Sequence, residues 1–171
     1  DVCSSDLPAL AYCGAPGMNP AFGMPVHWNG IAATMQAIEH EVLQHALDWL
    51  PGTRPWLCTI VHAVGSSPRP VGSVMLTADD GRQVGSVSGG CIEEDLLERL
   101  RAGELRCDQP ELIEFGVSAE ENERLGLPCG GRLTILLQRL GEGDRDWLQQ
   151  ALAALEARQC LQRRVDLQTG Q

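Results

Sequence analysis

Hydrophobic and polar residues recur along this chain with two different periods, and these periods predict its helices and strands. From Met35 to Leu50, apolar residues lie three and four positions apart, which is the spacing of one face of an amphipathic helix. The Pro51-Gly52 pair ends that helix. The same spacing predicts a second helix over Cys91 to Ala102 and a last helix over Asp146 to Arg158.

Runs of apolar and β-branched residues predict the strands. The continuous run from Trp56 to Val64 is typical of a strand that is covered on both faces. Ser73 to Thr77 and Gln83 to Val87 predict a hairpin that turns at Asp79-Asp80-Gly81. Three further strands are predicted: Glu111 to Val117, Arg132 to Gln138 and Leu161 to Leu167. This order favours an α/β fold of mixed α+β character, with a mixed sheet and flanking helices in layers.

The amino-acid composition excludes or disfavours several classes of function. The chain has 171 residues, with 23 acidic residues against 13 basic ones, and a formal net charge of −10. That balance disfavours a nucleic-acid partner, which requires a basic surface. There is no lysine, so a Walker loop is excluded, and no apolar run is long enough for a membrane helix. From Met35 onward the chain has five scattered cysteines, an odd number in a chain large enough for a core, which favours a reducing cytoplasm over a disulfide scaffold.

The first 34 residues differ from the rest because they lack apolar periodicity and arginine. Asp1 to Leu7 is the peptide that a common short-read sequencing adapter encodes when it is read in frame. We therefore expect residues 1–34 to be an artefact or a disordered leader. Residues 35–140 then form the main domain, and residues 141–171 supply a helix and a strand that follow it.

The turn Ser88-Gly89-Gly90-Cys91 joins a predicted strand to a predicted helix. Glycines let a ligand approach the backbone closely, and the free N–H groups at a helix start attract anions. A thiolate at Cys91 would be stabilised there, and thiolates attack electrophiles and bind soft metals. The acidic residues Glu93 and Glu94 fit an ordinary capped helix equally well and would repel an anion. Both interpretations stay open at this point.

Two other segments have the composition of binding loops. Leu127-Pro128-Cys129-Gly130-Gly131 places a second glycine-flanked cysteine before a strand, which suggests that Cys91 and Cys129 face one pocket. Neither cysteine belongs to a Cys-x-x-Cys pair, so a zinc site has little support. In Gly65-Ser66-Ser67-Pro68-Arg69-Pro70, the arginine is held between two prolines and is suited to grip a phosphate. The alternatives are a tight turn around Cys129 and a solvated Arg69.

The remaining histidines and cysteines have weaker claims to chemistry. Cys58 and His62 lie in the apolar strand, where we expect core packing. His40 and His45 are five apart on a predicted helix, whereas paired metal ligands on a helix are usually four apart, so we expect them at the surface. Cys107 and Cys160 have no assigned role.

The glycine-rich motifs together resemble the signature of the xanthine dehydrogenase accessory (XdhC/CoxI) proteins. The resemblance covers about Met35 to Leu140, with the motifs in the family's order and spacing. The family's amino-terminal domain is followed by a Rossmann-like domain, and this sequence ends before one could form. The residues that carry the resemblance are Gly65 to Pro70, Gly72-Ser73, Gly85 to Glu93 and Leu127 to Gly131.

The resemblance implies a role in the maturation of molybdenum hydroxylases. Members of the family bind the molybdenum cofactor, protect it and pass it to the apo-enzyme. Here the cargo would be molybdopterin or its dinucleotide form, with Cys91 and Cys129 near the molybdenum or its terminal sulfur. Glu93 would hold a pterin amino group or simply cap the helix. The residues implied in cofactor binding are Ser67, Arg69, Ser88, Gly89, Gly90, Cys91, Glu93, Cys129 and Gly130.

The expected function is therefore a cytoplasmic insertion chaperone without turnover of its own. Its partner would be the apo-enzyme of a molybdenum hydroxylase such as xanthine dehydrogenase or a CO-dehydrogenase-type enzyme. A cysteine desulfurase and a second copy of the chain are further candidate partners. The alternative is a thiol-dependent sulfur carrier or sulfurtransferase that uses Cys91. It ranks second because the neighbours of Cys91 in the sequence are carboxylates and offer no evident general base.

Overall fold

The computed structural model describes residues 9–12, 31–65, 67, 69–105, 109–125, 131–159 and 161–167. A single turn of 3₁₀ helix, Glu142–Asp144, precedes the last α-helix. The helices and strands are β1 (Ala9–Tyr12), α1 (Ile31–Trp49), β2 (Trp56–Val64), β3 (Val74–Thr77), β4 (Gln83–Gly85), α2 (Cys91–Ala102), β5 (Glu111–Phe115), α3 (Ala119–Arg124), β6 (Arg132–Arg139), α4 (Arg145–Glu156) and β7 (Leu161–Arg164).

The central sheet has five strands in the order β4-β3-β2-β6-β5. Every neighbouring pair is antiparallel, whereas the sequence predicted a mixed sheet. Parallel neighbours need a crossover connection. Here α2 carries the chain from one edge strand, β4, to the other, β5, so the helix creates no parallel pair. The strands β1 and β7 form a separate antiparallel pair, and β1 lies within the segment interpreted as an artefact or leader.

Helices cover both faces of the sheet, which confirms the predicted layered fold of mixed α+β character. On one face, α1 and α4 pack against Leu57, Leu76 and Leu136. On the other face, α2 packs its buried residues Ile92 and Leu96. The strand residues in that second core include Cys58, Met75, Ile135 and Leu137.

The structure corrects several predicted elements: α1 begins at Ile31, before the predicted Met35, and β7 ends at Arg164, before the predicted Leu167. The strand Trp56–Val64 is covered on both faces only in its first half, since His62 and Val64 are exposed after a register shift near Val61. The polar stretch after β5 forms α3, a helix the sequence did not predict because none of its residues is buried. The strand β4 ends at Gly85, where φ is +79° and an added Cβ would collide with the carbonyl oxygen of Val74.

The antiparallel register brings the predicted motifs to one end of the sheet. Val64 pairs with Arg132 and Phe115 pairs with Leu133, so β2 and β5 both finish beside the start of β6. The strand β4 finishes opposite the start of β3. We call this the motif end of the sheet: β2, β4 and β5 finish there, and β3 and β6 begin there. The β2–β3 loop and the β4–α2 turn leave from it, and Gly131, directly before β6, lies there as well.

Candidate functional site

At the motif end, three glycines bring separate segments into contact. Gly65 follows β2 with φ +79°, and a Cβ built on it would lie 3.3 Å from Cα of Gly131. Gly116 follows β5 with φ +82°, and a Cβ there would overlap the carbonyl oxygen of Gly131. Only glycine allows both the backbone conformation and the approach. Gly131 therefore lies at the motif end, and Cys129 and Gly130, which precede it in the sequence, are outside the described residues.

The β4–α2 turn is organised around the buried carboxylate of Glu93, whose residue is 3% exposed. Its Oε1 accepts the backbone N–H groups of Val87 at 2.8 Å, Ser88 at 2.7 Å and Gly89 at 3.1 Å. Its Oε2 accepts the N–H of Gly90 at 2.9 Å. Both glycines have positive φ angles, +91° and +142°, which allow successive N–H groups to converge. The anion at this glycine turn is thus the protein's own side chain.

Two serine hydroxyls complete the coordination of Glu93. Ser86 donates to Oε1 at 2.6 Å, and Ser88 donates to Oε2. Burial by itself would raise the pKa of Glu93, but these hydroxyls and the N–H of Ser88 outweigh it and lower the pKa to about 2. The carboxylate is therefore ionised at neutral pH. It also caps α2, which is one of the two roles that the sequence left open for Glu93.

Arg69 lies on the β2–β3 loop, which the backbone ties to the sheet. The N–H of Gly72 donates to the carbonyl of Ile60 at 2.8 Å, and the hydroxyl of Ser67 donates to the carbonyl of Arg69 at 2.5 Å. Arg69 is partly buried and lines a cleft with Ser86. Among the described residues, its guanidinium makes no ion pair and no side-chain hydrogen bond. The backbone of the loop is therefore held in place, while the guanidinium has no internal partner among the described residues.

Glu39 of α1 lines the same cleft, and the sequence reasoning missed it. Burial raises the pKa of Glu39 to about 7. The available signal was its spacing: it precedes the core residues Val42 and Leu43 by three and four positions, so it lies beside the apolar stripe of the helix. An acidic residue at such a place is either paired or functional.

The residues predicted for the site are brought together in part. Ser67 and Arg69 on the loop lie at the same end of the sheet as the turn from Ser88 to Glu93. Ser86, which the sequence reasoning did not select, connects them because it both lines the Arg69 cleft and bonds to Glu93. Cys91 is the first residue of α2, and its side chain is not among the described ones. The cofactor-binding and metal-binding roles stay predictions.

The other cysteine and histidine predictions have mixed outcomes. Cys58 is fully buried in the core, as predicted, and burial, followed by the charge of Glu93, raises the pKa of its thiol. His62 is exposed, so core packing is wrong for that residue. His40 is a partly exposed neighbour of Glu156, with Nε2 3.2 Å from Oε1.

In the described part of the chain, no three His, Cys, Asp or Glu side chains are grouped as metal ligands. No helix among these residues is long and apolar enough to cross a bilayer.

Comparison with known proteins identifies two curated relatives. The chain is 32% identical over 127 residues to the molybdenum cofactor insertion chaperone PaoD of Escherichia coli (strain K12), covering 71% of this chain and 38% of PaoD. It is 34% identical over 92 residues to a probable xanthine dehydrogenase subunit from Bacillus subtilis (strain 168), covering 52% of this chain and 27% of that protein. The chain thus spans well under half of the length of either relative.

A solved structure and a family model agree with these relatives. The crystal structure of a xanthine dehydrogenase from Bacillus halodurans, at 2.80 Å resolution, matches 70% of this chain and 35% of its own with a TM-score of 0.57 and 30% sequence identity. The model of the XdhC and CoxI family matches residues 49–116, which run from the end of α1 through the Arg69 loop and α2 to Gly116. The domain at the centre of this chain therefore belongs to the XdhC and CoxI family.

Proposed function

We propose that this domain binds the molybdenum cofactor as cargo and passes it to the apo-enzyme of a molybdenum hydroxylase. The observation that carries the proposal is the convergence of the Arg69 loop, the Glu93-filled turn and the Gly131 segment at one end of the sheet. A chaperone must hold its cargo by several weak contacts and release it, which a shared surface of short loops allows. The names of the similar proteins support the same role.

Arg69 is the residue that we assign to the phosphate of the cofactor. A guanidinium presents a planar fork of N–H donors that matches phosphate oxygens. In a chain of net charge −10 without lysine, such a site depends on arginine and on backbone N–H groups. The hydrogen bond from Ser67 and the anchoring of the loop at Ile60 keep Arg69 in position before the cofactor arrives.

Cys91 and Cys129 are the residues that we assign to the molybdenum or its terminal sulfur. The start of α2 favours a thiolate at Cys91. The acidic first turn of α2 is the obvious objection, and the structure reduces it. The charge of Glu93 is shared among four backbone N–H groups and two hydroxyls, while Glu94 is exposed to solvent, where its field is screened.

Several finer parts of the hypothesis rest on the sequence. The molybdopterin and dinucleotide forms of the cofactor present the same phosphate and pterin groups, so the site accommodates either in this proposal. We propose a cytoplasmic location, which the scattered cysteines favour. A cysteine desulfurase partner and a homo-oligomer stay predictions of the resemblance.

The test is to load the protein with molybdenum cofactor, remove unbound cofactor by gel filtration and measure the molybdenum that remains. We expect the wild type to retain molybdenum and the Cys91→Ala, Cys129→Ala double variant to lose most of it. Cys107→Ala, which changes a cysteine without an assigned role, is the matched control. Equal retention by wild type and double variant would overturn the thiol assignment. No retention by the wild type would overturn the proposed function.

A further inference from the structure

A cavity lies at the end of the sheet opposite the motif end, between the last two turns of α2 and the turn that joins β3 to β4. The strand β2 begins there, where Trp56 pairs with Thr77 of β3 and with Arg139 of β6. This cavity is therefore separated from the Arg69 cleft by the length of the strands. Its lining residues are Trp56, Ala78, Asp79, Leu97, Leu100 and Arg101.

The volume of the cavity, about 210 Å³, limits what it can hold. An apolar cavity of about 150 Å³ holds a benzene ring, whereas pockets for drug-sized ligands start at about 300 Å³. The cavity therefore has room for one ring with a small substituent. A nucleotide or a whole pterin cofactor is too large for it, so its ligand differs from the cargo proposed for the motif end.

Most of the cavity wall is apolar, with two leucines, an alanine and the indole of Trp56. The indole is fixed by two contacts. The guanidinium carbon of Arg139 lies 5.0 Å from the centre of its ring, and its Nε1–H donates to Oδ1 of Asp79 at 3.4 Å. A rigid aromatic wall of this kind favours a flat apolar ligand.

The acidic residues beside the cavity already have basic partners. Oδ2 of Asp79 lies 3.5 Å from a guanidinium nitrogen of Arg139, and Oδ2 of Asp80 lies 2.7 Å from Nε of Arg82. A cationic ligand would have to compete with these arginines. The cavity is therefore better suited to a ligand that is neutral or negatively charged.

Arg101 is the basic residue that the fold leaves for such a ligand. It is exposed, and a Cβ built on Gly81 would lie 3.3 Å from its Nη2, so its guanidinium lies between α2 and the β3–β4 turn. Among the described residues, the side chain of Arg101 makes no ion pair and no hydrogen bond. A guanidinium at the solvent side of an apolar cavity can bind a carboxylate through two parallel N–H groups.

We infer that this cavity binds a small aromatic carboxylate, with the ring beside Trp56 and the leucines and the carboxylate on Arg101. Burial of the ring supplies most of the affinity, and the charge-assisted hydrogen bonds orient the ligand. The site is independent of the molybdenum cofactor, because it lies at the other end of the sheet and takes a smaller ligand.

The test is to titrate the ¹⁵N-labelled protein with benzoate and to follow the indole N–H signal of Trp56 by NMR, with Trp56→Phe to assign that signal. We expect a saturable shift. Benzamide, which has the ring without the charge, should bind about tenfold more weakly. Acetate, which has the charge without the ring, should leave the signal unchanged.

Two variants locate the carboxylate. Arg101→Gln should lower the affinity for benzoate about tenfold, to that of benzamide, and should leave benzamide binding unchanged. Arg132→Gln, which changes an exposed arginine at the motif end, is the matched control and should bind benzoate as the wild type does.

Several results would overturn this site: no saturable shift with benzoate, the same shift with acetate, or equal benzoate affinity in wild type and Arg101→Gln. Equal affinity of the wild type for benzoate and benzamide would overturn it as well. Molybdenum retention is measured separately. Retention without benzoate binding would leave the proposed function standing and remove this site, and benzoate binding without retention would do the reverse.

Discussion

Ser86 donates a 2.6 Å hydrogen bond to Glu93 and at the same time lines the cleft that contains Arg69. The same hydroxyl accepts the N–H of Gly89 at 3.0 Å. One small residue therefore belongs both to the turn that begins α2 and to the lining of the cleft that contains Arg69.

The Glu93→Gln variant should lack the part of the wild-type free energy of unfolding that comes from the ionised Glu93 side chain. The pKa of Glu93 is lowered from 4.5 to about 2 in the folded protein, so its contribution is complete above pH 4.5 and is lost as the pH falls toward 2. This lowering of the pKa corresponds to about 3 kcal/mol in the free energy of unfolding. Urea unfolding between pH 6 and pH 2.5 should show wild type and variant converging as the pH falls. Glu94→Gln, an exposed neighbour, should leave the wild-type pH profile unchanged, and a constant gap between wild type and Glu93→Gln would contradict the prediction.

Gly116→Ala should destabilise the motif end. The new Cβ would overlap the carbonyl oxygen of Gly131, and the φ of +82° is strained for alanine. We expect a loss of at least about 2 kcal/mol in the free energy of unfolding. Gly52→Ala is the control, because nothing lies within 4 Å of its added Cβ. Similar unfolding midpoints for the two variants in urea would show that the Gly116 and Gly131 segments are not in contact.

Arg69→Ala should weaken cofactor retention about tenfold or more, because a charge-assisted hydrogen bond to phosphate is lost. Arg69→Lys should restore only part of it, since an ammonium group lacks the planar fork. The rate at which molybdenum is lost on dialysis measures both effects. Arg145→Ala, at the start of α4, is the control. If the Arg69→Ala variant retained molybdenum as well as the wild type, the assignment of Arg69 to the phosphate would be wrong.

Cys58 should resist alkylation in the folded protein. Its side chain is fully buried, and burial and the nearby charge of Glu93 both raise the pKa of the thiol. Peptide mass mapping after iodoacetamide treatment at neutral pH should find Cys58 unmodified until urea is added. Equal labelling with and without urea would contradict the burial. The same map reads Cys91, and labelling there no faster than in a free cysteine would remove the sulfur-carrier alternative.

Local periodicity was sufficient for the elements that bury one face. The second helix was predicted with its observed bounds, Cys91–Ala102, and its C′ residue Gly103 has the left-handed φ of +75°. The strand Trp56–Val64 also has its predicted bounds. The helix α3 escaped prediction because it buries no residue and so has no apolar period. Its start is instead stabilised by Ser118, whose hydroxyl oxygen accepts the N–H of Glu121 at 3.1 Å.

The sequence by itself determined the helices and strands that bury an apolar face, the glycines at the turns and the residue types available for binding, because these depend on neighbours close along the chain. Only the tertiary structure decided that the motifs meet at one end of an antiparallel sheet, that Glu93 fills its own turn, and that Glu39 lies in the Arg69 cleft. These relationships join residues from separate elements. They depend on strand register and helix packing, which no local pattern of polar and apolar residues specifies.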